Sequence, residues 1–170
     1  YIYKDDFTLN AIGRFDASNK FGSRSNERLL PVWSVSGMWN IQETFLKEAS
    51  WLSEMRLRMS YGMQGNMLDG QTPNMLITQQ PINSYYNENV SNVYQFPNPN
   101  LKWESATSWN IGTDLTFLKG RLGANLDVYK KITTDLLVSR ELPSLIGYSS
   151  VMSNIGEVQN TGVELSLNST

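Results

Sequence analysis

The 170 residues carry 14 Lys and Arg against 16 Asp and Glu, a formal net charge of −2, with a mean hydropathy of −0.36. That balance gives no basic footprint for nucleic acid, and no apolar run approaches the roughly eighteen residues of a membrane-spanning helix. Cysteine and histidine are both absent. This removes disulfides, thiolate metal sites, the commonest zinc ligand and the usual catalytic base, so neither a cofactor nor enzymatic chemistry is expected.

Along the chain, apolar and polar residues alternate with a period of two, which only a β-strand converts into two chemically different faces. The pattern begins at Phe7 to Phe15 and resumes at Trp33 to Ile41 and at Met55 to Met63. It is clearest where Trp109, Ile111, Thr113, Leu115 and Phe117 oppose Asn110, Gly112, Asp114 and Thr116. After a turn at Leu118 to Gly120, Leu122, Ala124, Leu126 and Val128 oppose Gly123, Asn125, Asp127 and Tyr129, and Val163 to Leu167 closes the series. About six strands of roughly nine to eleven residues result, close to what a tilted strand needs to cross the hydrocarbon layer. One greasy and one wet face suits two settings: a soluble β-sandwich that binds polysaccharide, or a membrane barrel with a watery lumen.

The connections favour the barrel. Ser18 to Leu30 is long, Gln42 to Ser53 moderate, Gly65 to Ser105 very long, Leu118 to Gly120 tight and Ile132 to Asn160 long again. Long loops thus share one end, as in outer-membrane barrels, where periplasmic turns are short. A stretch of about forty residues without periodicity is uncommon inside a compact domain. Trp33 and Trp39 on one strand and Trp109 and Phe117 on another are separated by roughly 20 to 27 Å of strand, the placement of aromatic girdles at two membrane interfaces. A surface glycosidase is the weakest reading, because no carboxylate pair can be placed in a cleft.

The segments RFDASNKFG (Arg14 to Gly22), LPVWSVSGMWNI (Leu30 to Ile41), LRMSYGMQGN (Leu57 to Asn66), NPNLKWE (Asn98 to Glu104), the run from Asn110 to Leu137 and NIGEVQNTGVELSL (Asn154 to Leu167) together resemble the barrel domain of SusC/RagA-type TonB-dependent transporters of Bacteroidota. Ala17, Asn19 and Met38 are mild departures from the motifs. The resemblance implies an all-β fold: a section of a large antiparallel transmembrane β-barrel, about six strands of a 22-stranded whole in the cell outer membrane. It also implies a SusD-like surface lipoprotein as lid, energy from the TonB complex, and active import of glycans or peptides. Residues 1–170 are expected to be a fragment of the barrel domain, because Tyr1 opens the chain without a signal-peptide pattern and about six strands are too few to close a lipid-exposed barrel. The plug domain, the TonB-contacting segment and the remaining strands are expected outside this chain.

Candidate site residues fall in two groups. Arg14, Arg56 and Arg58 share the wet face with Asp16, Asp114 and Asp127. They are expected to pair across strands, and to line the lumen or hold a plug through charge-assisted bonds. In the long loop, Tyr85, Tyr86, Tyr94 and Phe96 stand among asparagines and Gln95. Flat apolar faces beside amide donors and acceptors suit sugar rings or peptide backbones. Contact with the lipoprotein lid, or packing against other loops, would use the same residues.

Overall fold

The computed structural model describes residues 1–4, 6–21, 29–46, 49, 51–67, 70–82, 85, 87–146 and 150–169. Its strands are β1 (Ile2–Tyr3), β2 (Phe7–Ala17), β3 (Leu29–Asn40), β4 (Leu52–Asn66), β5 (Leu76–Gln79), β6 (Ser91–Gln95), β7 (Glu104–Phe117), β8 (Leu122–Glu141) and β9 (Ser150–Ser169). A short helix, α1 (Ile41–Phe45), follows β3. Seven strands form one antiparallel sheet in the order β1-β2-β3-β4-β7-β8-β9, while β5 and β6 pair as a separate hairpin. The connections after β2, β4 and β8 therefore leave from one end of the sheet, the loop end. Those after β3 and β7 leave from the other, the turn end.

Register joins the strand faces into two continuous surfaces. Ala11, Val35, Tyr61, Trp109, Lys130 and Thr161 form one cross-strand row. The adjacent row is Asn10, Ser36, Ser60, Asn110, Tyr129 and Gly162, and it points the other way. On the apolar surface Phe7, Leu9, Met59, Ile111, Leu122, Leu126 and Leu165 are all exposed, and nothing among the described residues covers them. A sandwich would bury that face against a second sheet, so the sandwich reading is not favoured. The buried hydrophobic set is small: Phe21, Leu30, Leu52, Leu101 and Ala106.

Aromatic residues on the apolar surface lie along two lines. At the loop end Phe15, Trp33, Tyr61 and Trp109 succeed one another from β2 to β7, with the Trp33 and Tyr61 rings 5.2 Å apart, edge to face. Toward the turn end Phe7 pairs with Trp39, and Phe117 stacks on Trp51 at 5.9 Å. Phe7 and Trp39 are in register, as are Tyr61 and Trp109, but neither line keeps to one row from β2 to β7. Phe15 is opposite Pro31 rather than Trp33, and Trp39 is opposite Leu57, whose partner Thr113 stands four residues before Phe117. From β2 to β7 both lines slip by the same four residues, about 14 Å of strand, over three inter-strand steps of about 4.8 Å. The angle is about 43°, within the roughly 35 to 45° tilt of strands in membrane barrels.

The structure corrects three boundaries. Ile132 to Asn160 is mostly strand: β8 and β9 are 20 residues each, because a bulge lets pairing continue beyond the break in alternation. At that bulge Thr133 faces Val158 and Leu136 faces Gly156, and Asp135 takes φ +59°. The span Gly65 to Ser105 is not wholly irregular, since it holds the β5–β6 hairpin. The connection after β3 includes α1. The turn at Leu118 to Gly120 is as tight as its sequence implies, with φ of +52°, +57° and +92° in succession.

Candidate functional site

The polar surface carries an ion cluster built by register. Arg58 on β4 lies opposite Gly112 on β7, and Gly112 lies opposite Asp127 on β8. A side chain at Gly112 would collide with Asp127 Oδ1 and come within 3.0 Å of Arg58 Nη2. Its absence lets the guanidinium reach over a whole strand. Arg58 Nε donates to Asp114 Oδ2 and Nη2 to Asp114 Oδ1, both at 2.9 Å, a bidentate fork. Nη2 also lies 3.3 Å from Asp127 Oδ2. One arginine therefore serves two carboxylates, at 41, 26 and 24% side-chain exposure for Arg58, Asp114 and Asp127.

The other expected charges pair within their own strands. Arg14 meets Asp16 at 3.2 Å, and Arg56 is bound to Glu54 rather than to a cross-strand aspartate. Two-residue spacing puts each pair on one face of its strand.

At the loop end a second network was not legible as a site. Asn154 on β9 donates through Nδ2 to the carbonyls of Lys102 (3.0 Å) and Asp135 (2.8 Å), and its Oδ1 accepts from the Lys102 amide (3.2 Å). Lys102 Nζ is 2.8 Å from Asp135 Oδ1. Glu104, only 7% exposed, accepts from Asn66 Nδ2 at 3.1 Å and from the Leu137 amide at 3.0 Å. The left-handed backbone of Asp135 at the bulge presents its carbonyl to Asn154. Residues Asn98 to Glu104 thereby form a strap laid across β8 and β9, with Phe21 packed on Trp103 at 5.0 Å. The signal in sequence was the break in alternation at Thr134-Asp135-Leu136, beside the two prolines around Asn98.

The loop aromatics do not gather in one place. Tyr94 and Phe96 line a cleft between the long connection and the start of β9, together with Gln71, Asn98, Ser150 and Met152. Tyr85 stands between β5 and β6 with 95% of its surface exposed, and Tyr86 lies outside the described residues.

Over residues 1–170 the chain matches the family described as TonB dependent receptor-like, beta-barrel. It is 33% identical over 173 residues to TonB-dependent receptor P26 of Formosa agariphila, covering 100% of this chain and 17% of that protein. It is 34% identical over 166 residues to TonB-dependent receptor SusC of Bacteroides thetaiotaomicron, covering 91% and 16%. The chain thus spans about a sixth of the length of these curated relatives. The structure of the RagAB peptide importer in its closed-closed state superimposes with a TM-score of 0.86 at 33% identity, over 98% of this chain and 18% of that one. With its whole length matched, relatives a third identical and a wall of tilted antiparallel strands in common, the chain belongs to the TonB-dependent receptor-like β-barrel family, is of the SusC/RagA type, and forms a section of the barrel.

Proposed function

We propose that this chain supplies wall and loops to an outer-membrane importer of nutrient oligomers, glycans or peptides, driven by the TonB complex. The observation that carries the reading is the pair of aromatic lines skewed by about 43° from the register. A water-covered sheet gives aromatics no reason to be displaced by the same four residues at both ends between β2 and β7, whereas two parallel interfaces do. The apolar surface then faces lipid, and the polar surface with Arg14, Arg56, Arg58, Asp114 and Asp127 faces the lumen or a plug supplied by the rest of the parent protein. The loop end, with its long connections, faces the cell exterior and a SusD-like lipoprotein; the turn end faces the periplasm. The likeness to SusC and to the RagAB peptide importer supports both the partner and the import of oligomers.

The absence of cysteine makes a clean test possible in the intact parent receptor, with any cysteines elsewhere replaced. Tyr85→Cys should react with an impermeant maleimide on whole cells, Lys119→Cys only after the outer membrane is opened, and uptake of labelled oligosaccharide or peptide should vanish when the TonB complex is deleted. Equal labelling at both ends, or uptake that survives the deletion, overturns the reading.

A further inference from the structure

Lys130 is out of character for a surface that faces lipid. From β2 to β9, as far as the pair Thr133 and Val158, it is the one charged side chain among the described residues on the outward rows, set between Trp109 on β7 and Thr161 on β9. Resting on the import reading and deepening it, we propose that Lys130 holds the phosphate of one outer-leaflet lipid. The hydroxyls of Thr107 and Thr161 and the amide of Gln159, all on the same outward rows, stand around it.

Depth carries the assignment. The loop-end aromatic line drifts four residues toward the turn end between β2 and β7, about 1.3 residues per inter-strand step. Continued to β8 and β9, it passes below Lys130 and Thr161, whose Cα atoms stand about 3 and 6 Å outside the apolar band, with Thr107 about 5 Å outside it. Lipid head groups occupy roughly 5 to 8 Å on each side of the hydrocarbon, so these side chains lie at head-group depth. Lys130 is half-buried: its stem lies along the wall while the ammonium reaches outward.

The groups gathered there are donors. Among the described residues no carboxylate pairs with Lys130, and the next outward one, Glu157, stands four residues beyond Thr161 along β9, about 13 Å away. Gln159 Nε2 donates to Thr161 Oγ1 at 3.4 Å, which leaves that hydroxyl's own proton for a ligand oxygen. An ammonium beside hydroxyl and amide donors matches the acceptor oxygens of a phosphate. A carboxylate on a partner protein would have to enter from the lipid side at head-group depth to reach the same place.

The test is native mass spectrometry of the purified intact receptor in neutral detergent, titrated with monophosphoryl lipid A, with its phosphate-free counterpart or with inorganic phosphate. The wild type should hold the phosphorylated lipid about fivefold tighter than the phosphate-free one, the worth of one lysine beside anionic lipid. Lys130→Gln should remove that preference and Lys130→Arg should keep it. Lys131→Gln, one residue on and facing the lumen opposite Ser108, should leave it unchanged at the same loss of charge. The site is overturned if the wild type does not discriminate the two lipids, if Lys130→Gln leaves Kd unchanged, or if Lys131→Gln raises it equally. It is also overturned if inorganic phosphate shows the same Lys130 dependence, since the ligand is then free phosphate. The wild-type comparison decides even where a variant fails to fold. Any of these failures with one-sided maleimide labelling and TonB-dependent uptake retires the lipid site alone; uptake that survives deletion of the TonB complex, with the Lys130 dependence intact, retires the import reading alone.

Discussion

Leu122 and Leu126 are equally exposed, at 38% each, and both point out of the apolar surface of β8. In water, arginine at either position should change stability by no more than about 0.5 kcal/mol, as for an ordinary surface site. In a bilayer they differ by depth. Leu126 lies four residues from Leu122 at the turn-end edge and four from Lys130 beside Trp109 at the loop-end edge, which places it at the middle of the apolar band. Arginine at the midplane of a barrel's lipid face costs about 2 to 4 kcal/mol, falling to about 0 to 1 near the interfaces. At about 1.36 kcal/mol per tenfold, Leu126→Arg should lower the folding equilibrium constant roughly 30- to 900-fold and Leu122→Arg less than about tenfold. The assay is denaturant titration of the intact receptor refolded into lipid vesicles, read by the gel mobility difference between folded and unfolded barrel. Equal effects at the two positions, or a Leu126→Arg cost under about 0.5 kcal/mol, would refute the assignment of this face to lipid.

Five further substitutions have expected outcomes in the same titration. Arg58→Met should cost about 1 kcal/mol, since the guanidinium is 41% exposed and water screens its pairs; a loss above about 3 kcal/mol would mean the cluster is sealed from solvent. Gly62→Ala should cost about 1 to 3 kcal/mol, because the new Cβ meets the Trp33 carbonyl oxygen at 2.8 Å. Gly13→Ala, with nothing within 4 Å, should instead gain about 0.5 to 1 kcal/mol, and reversal of that order would discredit the register. Asn154→Ala removes three hydrogen bonds from the strap and should cost about 1 to 3 kcal/mol; hydrogen exchange should quicken at residues 98–104 and stay unchanged in β2 and β3. Lys119→Gly relieves a left-handed backbone at φ +57° and should stabilise by about 1 kcal/mol, and a destabilisation would show that the lysine side chain holds the turn.

What the sequence disclosed was whatever alternation encodes. Trp109 to Val128 fixed two strands, their faces and the turn between them because side chains there follow the period of two without interruption. The shared face of Arg58, Asp114 and Asp127 followed from the same parity, but their meeting depended on Gly112, whose role is to be empty and which alternation alone marks only as polar-side. Ile132 to Asn160 was misread as loop because two successive register shifts, between Thr133 and Leu136 around the left-handed Asp135 and again between Leu136 and Leu137, interrupt the alternation and hide the continuation of both strands. Glu104 and Asn154 were invisible for another reason: each serves backbone groups of segments distant in sequence, Leu137, Lys102 and Asp135, and such partners carry no side-chain pattern to read.

The hairpin between β4 and β7 is closed by the 37 residues that separate Asn66 from Glu104, whereas the one between β7 and β8 is closed by the four that separate Phe117 from Leu122. The entropy of closing a chain grows only as the logarithm of its length, so the larger excursion is dearer by about 2 kcal/mol. The strap and the β5–β6 hairpin shorten the free length and reduce even that. Chain length at the loop end is therefore a weak constraint on the stability of the sheet: the closing term changes by only about 0.6 kcal/mol for each doubling, less than the hydrogen bonds by which the strap is tied to β8 and β9.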